Sequence, residues 1–186
     1  MRNIGILGGT NPDGNKKYIK VSEELGAMLA GESDLKLLWG GNRNGVLGAI
    51  YKQFLKCDRI ELHLPKVYSN DLNSMEVKNV TLYEDVLTRH SGMIKNADYL
   101  IFLPGGIGTA FELFASIEML RAKEIKAKII LVNYKGFFNN LLSHYKFINT
   151  NGFTSINTMS NIYTTHAKDL FTVVTSATEA FKALKS

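Results

Sequence analysis

The sequence lacks the features that mark secreted, disulfide-bonded and membrane proteins. It has 186 residues and a single cysteine, Cys57, so an internal disulfide is excluded and core packing is the expected role of this thiol. No apolar run is long enough to span a membrane, and the apolar start at residues 4–7 is too short for a signal peptide. We therefore expect a cytoplasmic protein.

Metal sites and nucleic-acid surfaces are also disfavoured. The four histidines show no metal-ligand spacing, so we predict no metal, and we expect no cofactor. The formal net charge of +5 at pH 7 suits a protein that handles phosphorylated small molecules, although it would also suit nucleic-acid binding. Because the basic residues are scattered, with no block and no stripe interleaved with aromatics, we expect no nucleic-acid partner.

The composition and the order of segments predict the fold class. Hydrophobic residues make up 45% of the chain and charged residues 21%, which is ordinary for a globular protein, and the length predicts a single domain at 1–186. Three times an apolar strand leads through glycines into an amphipathic helix. The strands are predicted at 3–7, 35–39 and 99–103, and the second and third helices at 46–56 and 111–120. This alternation predicts a Rossmann-like α/β fold with a doubly wound parallel sheet.

The remaining elements follow from the same patterns. We predict strands at 59–64, 128–133 and 162–165, helices at 84–96, 137–149 and 177–184, and an irregular mobile loop at 66–81 beside the site. In open sheets of this type ligands bind beyond the carboxyl ends of the strands, where the three glycine loops would converge. None of these loops has the G-x-G-x-x-G spacing in its usual frame, which disfavours a nicotinamide cofactor.

The most informative stretch is 104–112 (PGGIGTAFE), at a predicted strand-to-helix turn. Glycine lets the backbone approach an anion, and the free N–H groups and dipole of a helix start favour phosphate. Glu112, expected in the first helical turn, would then overlook the group that carries the phosphate. Glycine-rich turns also occur for packing alone, and a glutamate in the first turn can simply stabilise the helix. The predicted phosphate ligands are Gly105, Gly106, Gly108 and Thr109.

The run 104–112 matches PGGxGTxxE, the signature of the LOG (lonely guy) family of cytokinin riboside 5′-monophosphate phosphoribohydrolases. Many members of this family were once labelled possible lysine decarboxylases, a label without support here because no lysine lies in a recognisable pyridoxal phosphate context. Other segments resemble the family in the same order, so the resemblance covers about residues 3–153. They are 39–48 (WGGNRNGVLG), 89–93 (RHSGM), 136–142 (GFFNNLL) and 152–153.

The resemblance implies hydrolysis of the N-glycosidic bond of a nucleoside 5′-monophosphate, AMP or an N6-modified AMP. It implies that Glu112 and Arg89 are catalytic. A carboxylate would stabilise the positive charge that develops on the ribose, and an arginine would hold the phosphate or help the departing base. It further implies a homodimer and substrate contacts from the first two glycine loops, although these residues could equally serve packing or helix capping. The predicted contacts are Gly9, Thr10 and Gly41.

Three departures from the family pattern put the identity of the base in doubt. Asn42 stands where a third glycine is usual, His90 replaces a lysine, and Glu118 stands where a threonine near the base is frequent. A lysine keeps its charge at neutral pH whereas histidine titrates near pH 6.5, so we predict a pH-dependent substrate contact from His90, with a core position beside Met93 as the alternative. Glu118 is predicted to contact the base.

Two other functions compete with hydrolysis. A non-catalytic nucleotide-binding or molybdenum-cofactor-carrier-like protein would bind its ligand without releasing base. A single-stranded DNA binder on a similar fold would need a basic stripe, which the sequence does not contain.

Overall fold

The computed structural model describes residues 1–13, 16–74, 76–153 and 170–185. Its centre is a parallel sheet of seven strands in the order β4-β3-β2-β1-β5-β6-β7. From β1 the chain builds outward to β4, then returns to the other side of β1 and builds outward to β7. This is the doubly wound arrangement that the sequence predicted. The strands are β1 (Arg2–Leu7), β2 (Leu35–Trp39), β3 (Ile60–Pro65), β4 (Asn79–Tyr83), β5 (Tyr99–Phe102), β6 (Lys128–Val132) and β7 (Thr172–Val174).

Helices cover both faces of this sheet. They are α1 (Lys16–Gly31), α2 (Gly45–Phe54), α3 (Val86–Lys95), α4 (Ile107–Arg121), α5 (Asn139–Thr150) and α6 (Ala177–Lys185), with 3₁₀ turns at Leu55–Cys57, Lys66–Ser74 and Tyr134–Gly136. In the described ranges no helix has both the length and the apolar character needed to cross a bilayer.

Successive strand residues point to opposite faces and so build two apolar layers. Leu37 belongs to the layer under α1, α2 and α6, which we call the first face. Its neighbour Leu38 belongs to the layer under α3, α4 and α5, which we call the second face. Because both faces are covered, the central strands are continuous apolar runs, which is why they could be predicted from the sequence.

The predicted strands at the centre of the sheet are confirmed. The strand β2 has its predicted bounds, β1, β5 and β6 each differ from prediction by one residue at one end, and β3 is shifted by one residue at both ends.

The prediction of an irregular loop at 66–81 was wrong. This segment contains the 3₁₀ turn Lys66–Ser74 and most of β4, which pairs in parallel with β3. As an edge strand β4 leaves Val80 and Leu82 exposed, so its apolar residues do not mark a buried face. The other edge strand, β7, was also missed, and the strand predicted at 162–165 lies outside the described residues.

The start of α4 was predicted too late. The helix begins at Ile107, with Gly106 in an extended conformation (φ −89°, ψ −156°) as its N-cap, so Gly108 and Thr109 are helical. Glu112 therefore lies in the second turn and not in the first. Since the favourable effect of the helix dipole is confined to the first turn, Glu112 is not explained as a residue that stabilises the helix end.

Candidate active site

The carboxyl ends of β1, β2 and β5 surround a pocket of about 240 Å³. It brings together eight of the predicted site residues: Gly9, Thr10, Arg89, His90, Gly106, Gly108, Thr109 and Glu112. The helices α3 and α4 supply the side chains, and the glycine loops supply the backbone walls.

The loop after β1 packs directly on the signature loop after β5. The N–H of Gly9 donates to the carbonyl of Pro104 (2.9 Å), and the carbonyl of Gly9 accepts from the N–H of Leu47 (3.2 Å). A Cβ at position 105 would lie 2.2 Å from Oγ1 of Thr109 and 2.8 Å from the Gly9 nitrogen. Glycine at 105 is thus required for the close approach of the two loops.

The N-terminus of α4 opens onto this pocket. Among the described residues no side chain caps the helix at Gly106, so the first N–H groups keep their hydrogen-bonding capacity. The buried Thr109 lies in the same first turn and lines the pocket. Free N–H groups, the positive end of the helix dipole and a hydroxyl together can bind an anion such as phosphate.

Glu112 is buried and meets two basic side chains of α3. Its Oε1 accepts a hydrogen bond from Nη1 of Arg89 (3.1 Å), and Nδ1 of His90 contacts the same oxygen. Nδ1 of His90 also lies 3.1 Å from Nη1 of Arg89. A lone pair on Nδ1 would face the carboxylate, so we assign the proton to Nδ1, which then donates to Oε1.

Arg89 is fixed by the start of α3 and by a missing side chain on β2. Asp85 caps the helix, accepting from the N–H of Thr88 (2.7 Å), while the Thr88 hydroxyl accepts from the N–H of Asp85 (3.2 Å). The hydrogen bond from the Thr88 N–H holds the pKa of the Asp85 carboxyl below its usual range. Beyond β2, a Cβ on Gly40 would come within 2.7 Å of Nη2 of Arg89. Glycine at 40 leaves the room that the guanidinium fills.

His90 contacts the carboxylate and also an aromatic ring. Its imidazole packs edge-on against Phe111, with ring centroids 5.7 Å apart. His90 lines the pocket, as Met93 does, and so does not occupy the core position that was the alternative.

Three predicted residues are not part of the lining within the described chain. Gly105 borders a neighbouring, more apolar cavity, and Gly41 adopts a left-handed conformation (φ +92°) in the loop after β2. Glu118 pairs with the guanidinium of Arg121, three residues further along α4, and this hydrogen bond lowers the pKa of the Glu118 carboxyl.

Asn42, which stands where a third glycine is usual, makes hydrogen bonds within the loop after β2. The carbonyl of Asn42 accepts from Nε1 of Trp39 (3.1 Å), and its side-chain oxygen accepts from the N–H of Asn44 (2.9 Å). The backbone carbonyl would be present in a glycine too, so the side chain adds one hydrogen bond, to the N–H of Asn44, that a glycine could not make.

A buried polar cluster on β3 and β4 was missed at the level of sequence. His63 is fully buried, its Nδ1 lies 2.7 Å from the Tyr83 hydroxyl, and its Nε2 lies 3.2 Å from Oε1 of Glu61 without hydrogen-bond alignment. Glu61 in turn accepts from Nζ of Lys36 (2.6 Å). The available signal was the pair of polar residues, two apart, in the otherwise apolar strand IELHLP.

Several curated proteins resemble this chain in sequence. A probable cytokinin riboside 5′-monophosphate phosphoribohydrolase of Oryza sativa subsp. japonica is 32% identical over 148 residues, which cover 77% of this chain and 63% of the relative. The cytokinin riboside 5′-monophosphate phosphoribohydrolase of Rhodococcoides fascians is 25% identical over 169 residues, 87% of this chain and 82% of the relative. The chain thus spans less than two thirds of the length of the Oryza protein.

Solved structures share the fold. The molybdenum cofactor carrier protein of Chlamydomonas reinhardtii has a TM-score of 0.68 at 17% identity, covering 99% of this chain and 96% of that one. The molybdenum cofactor binding protein of Rippkaea orientalis has a TM-score of 0.67 at 19% identity, covering 99% and 95%. At these identities the likeness concerns the fold alone.

The family model described as "possible lysine decarboxylase" matches residues 39–182, most of the chain. The signature 104–112 and the α3 motif that starts at Arg89 both lie inside the matched region. The chain therefore belongs to the LOG family.

Proposed function

We propose that this protein hydrolyses the N-glycosidic bond of a nucleoside 5′-monophosphate, AMP or an N6-modified AMP, to free base and ribose 5-phosphate. One observation carries the proposal: the buried Glu112 carboxylate, paired with Arg89 and His90, shares a pocket with an uncapped helix N-terminus. Glu112 lies four residues after Gly108, about 6 Å along the helix axis. The Oryza and Rhodococcoides relatives are named for this reaction on cytokinin riboside 5′-monophosphates, which agrees with the proposal.

In this proposal the 5′-phosphate binds at the N-terminus of α4. Gly106, Gly108 and Thr109 supply N–H groups and a hydroxyl, and the loop at Gly9 and Thr10 closes the other side. Phosphate binding then holds the ribose over the next turn of α4, where Glu112 lies. Gly41, Gly105 and Glu118 stay predictions as substrate contacts.

The reaction needs an ionised carboxylate at the ribose. When the bond from C1′ to the base nitrogen breaks, its electron pair leaves with the base and positive charge develops on the ribose ring. Glu112 stabilises this charge, and it takes a proton from the water that attacks C1′, while the departing base nitrogen gains a proton. Arg89 and His90 hold Oε1, and we assign Oε2 to the ribose and the water.

We also propose that the protein acts as a homodimer. Large apolar side chains are exposed on the two helices that carry the catalytic residues, including Leu87 on α3 and Ile107, Phe111 and Phe114 on α4. Such a patch beside a pocket is typical of an interaction surface. Sedimentation of the purified protein tests this, and a monomer at micromolar concentration would contradict it. A single domain at 1–186 and a cytoplasmic location stay predictions.

Incubation with a panel of nucleoside 5′-monophosphates and the matching nucleosides tests the reaction. We expect free base and ribose 5-phosphate in equal amounts from at least one monophosphate, measured by chromatography, with Glu112→Gln protein as the control for contaminating hydrolases. Tight nucleotide binding without base release by the wild type would instead favour the carrier-like alternative.

A further inference from the structure

The cluster of His63, Tyr83 and Glu61 lies on the second face of the sheet, under α3. Leu38, the register partner of Glu61, packs in the same apolar layer as Met93 of α3. The rings of His63 and Tyr83 stack with centroids 5.6 Å apart at an angle of 20°. Burying polar groups inside a sheet costs free energy that apolar residues would not, which indicates a role beyond packing.

Tyr83 joins this cluster to α3. Its ring lies directly against Gly92, since a Cβ on Gly92 would come within 2.2 Å of a ring carbon and 2.6 Å of the hydroxyl. Gly92 follows Arg89 by three residues, so the two lie on neighbouring turns of one helix side. The hydroxyl that His63 binds therefore lies against α3 one turn from Arg89.

Arg89 lies on the other side of the same cluster. Leu38 pairs with Glu61, so two residues further along the two strands Gly40 falls beside His63 on the same face. Gly40 leaves the room there that the Arg89 guanidinium fills. Burial lowers the pKa of His63, Glu61 opposes this shift, and the charge of Arg89 acts in the same direction as burial. Nε of Arg89 is buried and has no hydrogen-bond partner among the described residues. Its placement thus depends on the packing of α3.

We propose that His63 and Tyr83 are positioning residues for Arg89: the hydrogen bond between them fixes α3 so that the guanidinium meets Oε1 of Glu112. This rests on the proposed function only where turnover is the readout. A displacement of about 1 Å at a catalytic group can cost a hundredfold in rate, so a hydrogen bond behind α3 can matter for turnover.

The first test does not use activity. We expect the buried Nε–H of wild-type Arg89 to exchange slowly with solvent in NMR spectra, where its signal is assigned by comparison with Arg89→Lys. Tyr83→Phe removes the hydroxyl and keeps the ring against Gly92, and we expect the exchange to accelerate at least about tenfold. The matched control is Tyr145→Phe, which removes a hydroxyl from another buried tyrosine on the second face. Unchanged Arg89 exchange in Tyr83→Phe, or equal acceleration in both variants, would overturn the proposal.

The second test is a double-mutant cycle on turnover. We expect Tyr83→Phe to lower kcat about tenfold in the wild-type background, with little change in KM, and to have no further effect in an Arg89→Ala background. An equal loss in both backgrounds would show that Tyr83 does not act through Arg89. If the protein hydrolyses none of the panel nucleotides, the proposed function fails while the exchange experiment still decides the role of Tyr83.

Two substitutions of His63 complete the design. His63→Asn keeps an acceptor near the position of Nδ1, whereas His63→Leu fills the space without one. We expect both the slow exchange of Arg89 and most of kcat to survive in His63→Asn and to be lost in His63→Leu. The reverse order, or loss in both variants with an intact fold, would rule out the hydrogen bond to Tyr83 as the positioning element.

Discussion

The two faces of the sheet bury polar groups for different purposes. On the first face Ser22 is fully buried, and its hydroxyl donates to the carbonyl of Tyr18 within the same helix (3.0 Å). On the second face the buried polar residues include His63, Thr109 and Glu112, which bind other elements or line the pocket. The buried polar group of the first face thus bonds within its own helix, whereas the second face carries buried polar groups where the chemistry is proposed. Substitutions on the two faces should therefore separate stability from turnover.

The largest expected effect comes from Glu112→Gln on the second face. The amide keeps the shape of the side chain but cannot stabilise positive charge on the ribose or take a proton from water, so base release should fall about a hundredfold or more. Nucleotide binding and the fold should be retained, as measured by calorimetry and circular dichroism. Near wild-type turnover would remove Glu112 from the chemistry.

Removal of the phosphate should have the next largest effect. If the N-terminus of α4 binds the 5′-phosphate, the binding energy positions the ribose, and kcat/KM for adenosine should be at least about tenfold below that for AMP. Arg89→Ala should lower turnover of AMP strongly, because Glu112 loses one of its two basic partners. Equal efficiency with adenosine and AMP would show that the glycine loops do not hold a phosphate.

The centre of the sheet and the signature motif could be predicted from the sequence, whereas the edges of the sheet and the contacts between helices could not. The central strands are continuous apolar runs, so the sheet and its glycine loops were predictable, while the edge strands β4 and β7 expose Val80, Leu82 and Val173 and gave no such signal. Glu112 was predictable from its motif. Its contact with both Arg89 and His90 was not, because it depends on how α3 packs against α4.

On the first face we expect a change in stability without a change in chemistry. Ile50→Val deletes one buried methylene of α2 and should lower the free energy of unfolding by about 0.5–1.5 kcal/mol. Denaturant unfolding measures this loss, and kcat of the folded variant should equal that of the wild type. A clear loss of kcat in Ile50→Val would contradict the division of roles between the faces.

The second face should also make stability depend on pH. Burial lowers the pKa of His63 in the folded protein, so below pH about 6.5 the unfolded chain binds a proton that the folded protein does not. The contribution of His63 to stability is therefore present above that pH and is lost as the pH falls. The free energy of unfolding of the wild type and of His63→Asn, measured between about pH 7.5 and about pH 5.5, checks this, because the range brackets the ordinary histidine pKa of about 6.5. Parallel stability profiles for the two proteins would contradict it.

The smallest effect is expected at His90, which contacts Glu112 from the helix that also carries Arg89. A lysine at this position carries a fixed positive charge, which should strengthen the hold on a dianionic nucleotide. His90→Lys should therefore keep activity and bind the nucleotide more tightly than the wild type, as measured by calorimetry. Unchanged affinity in His90→Lys would show that charge at position 90 does not act on the substrate.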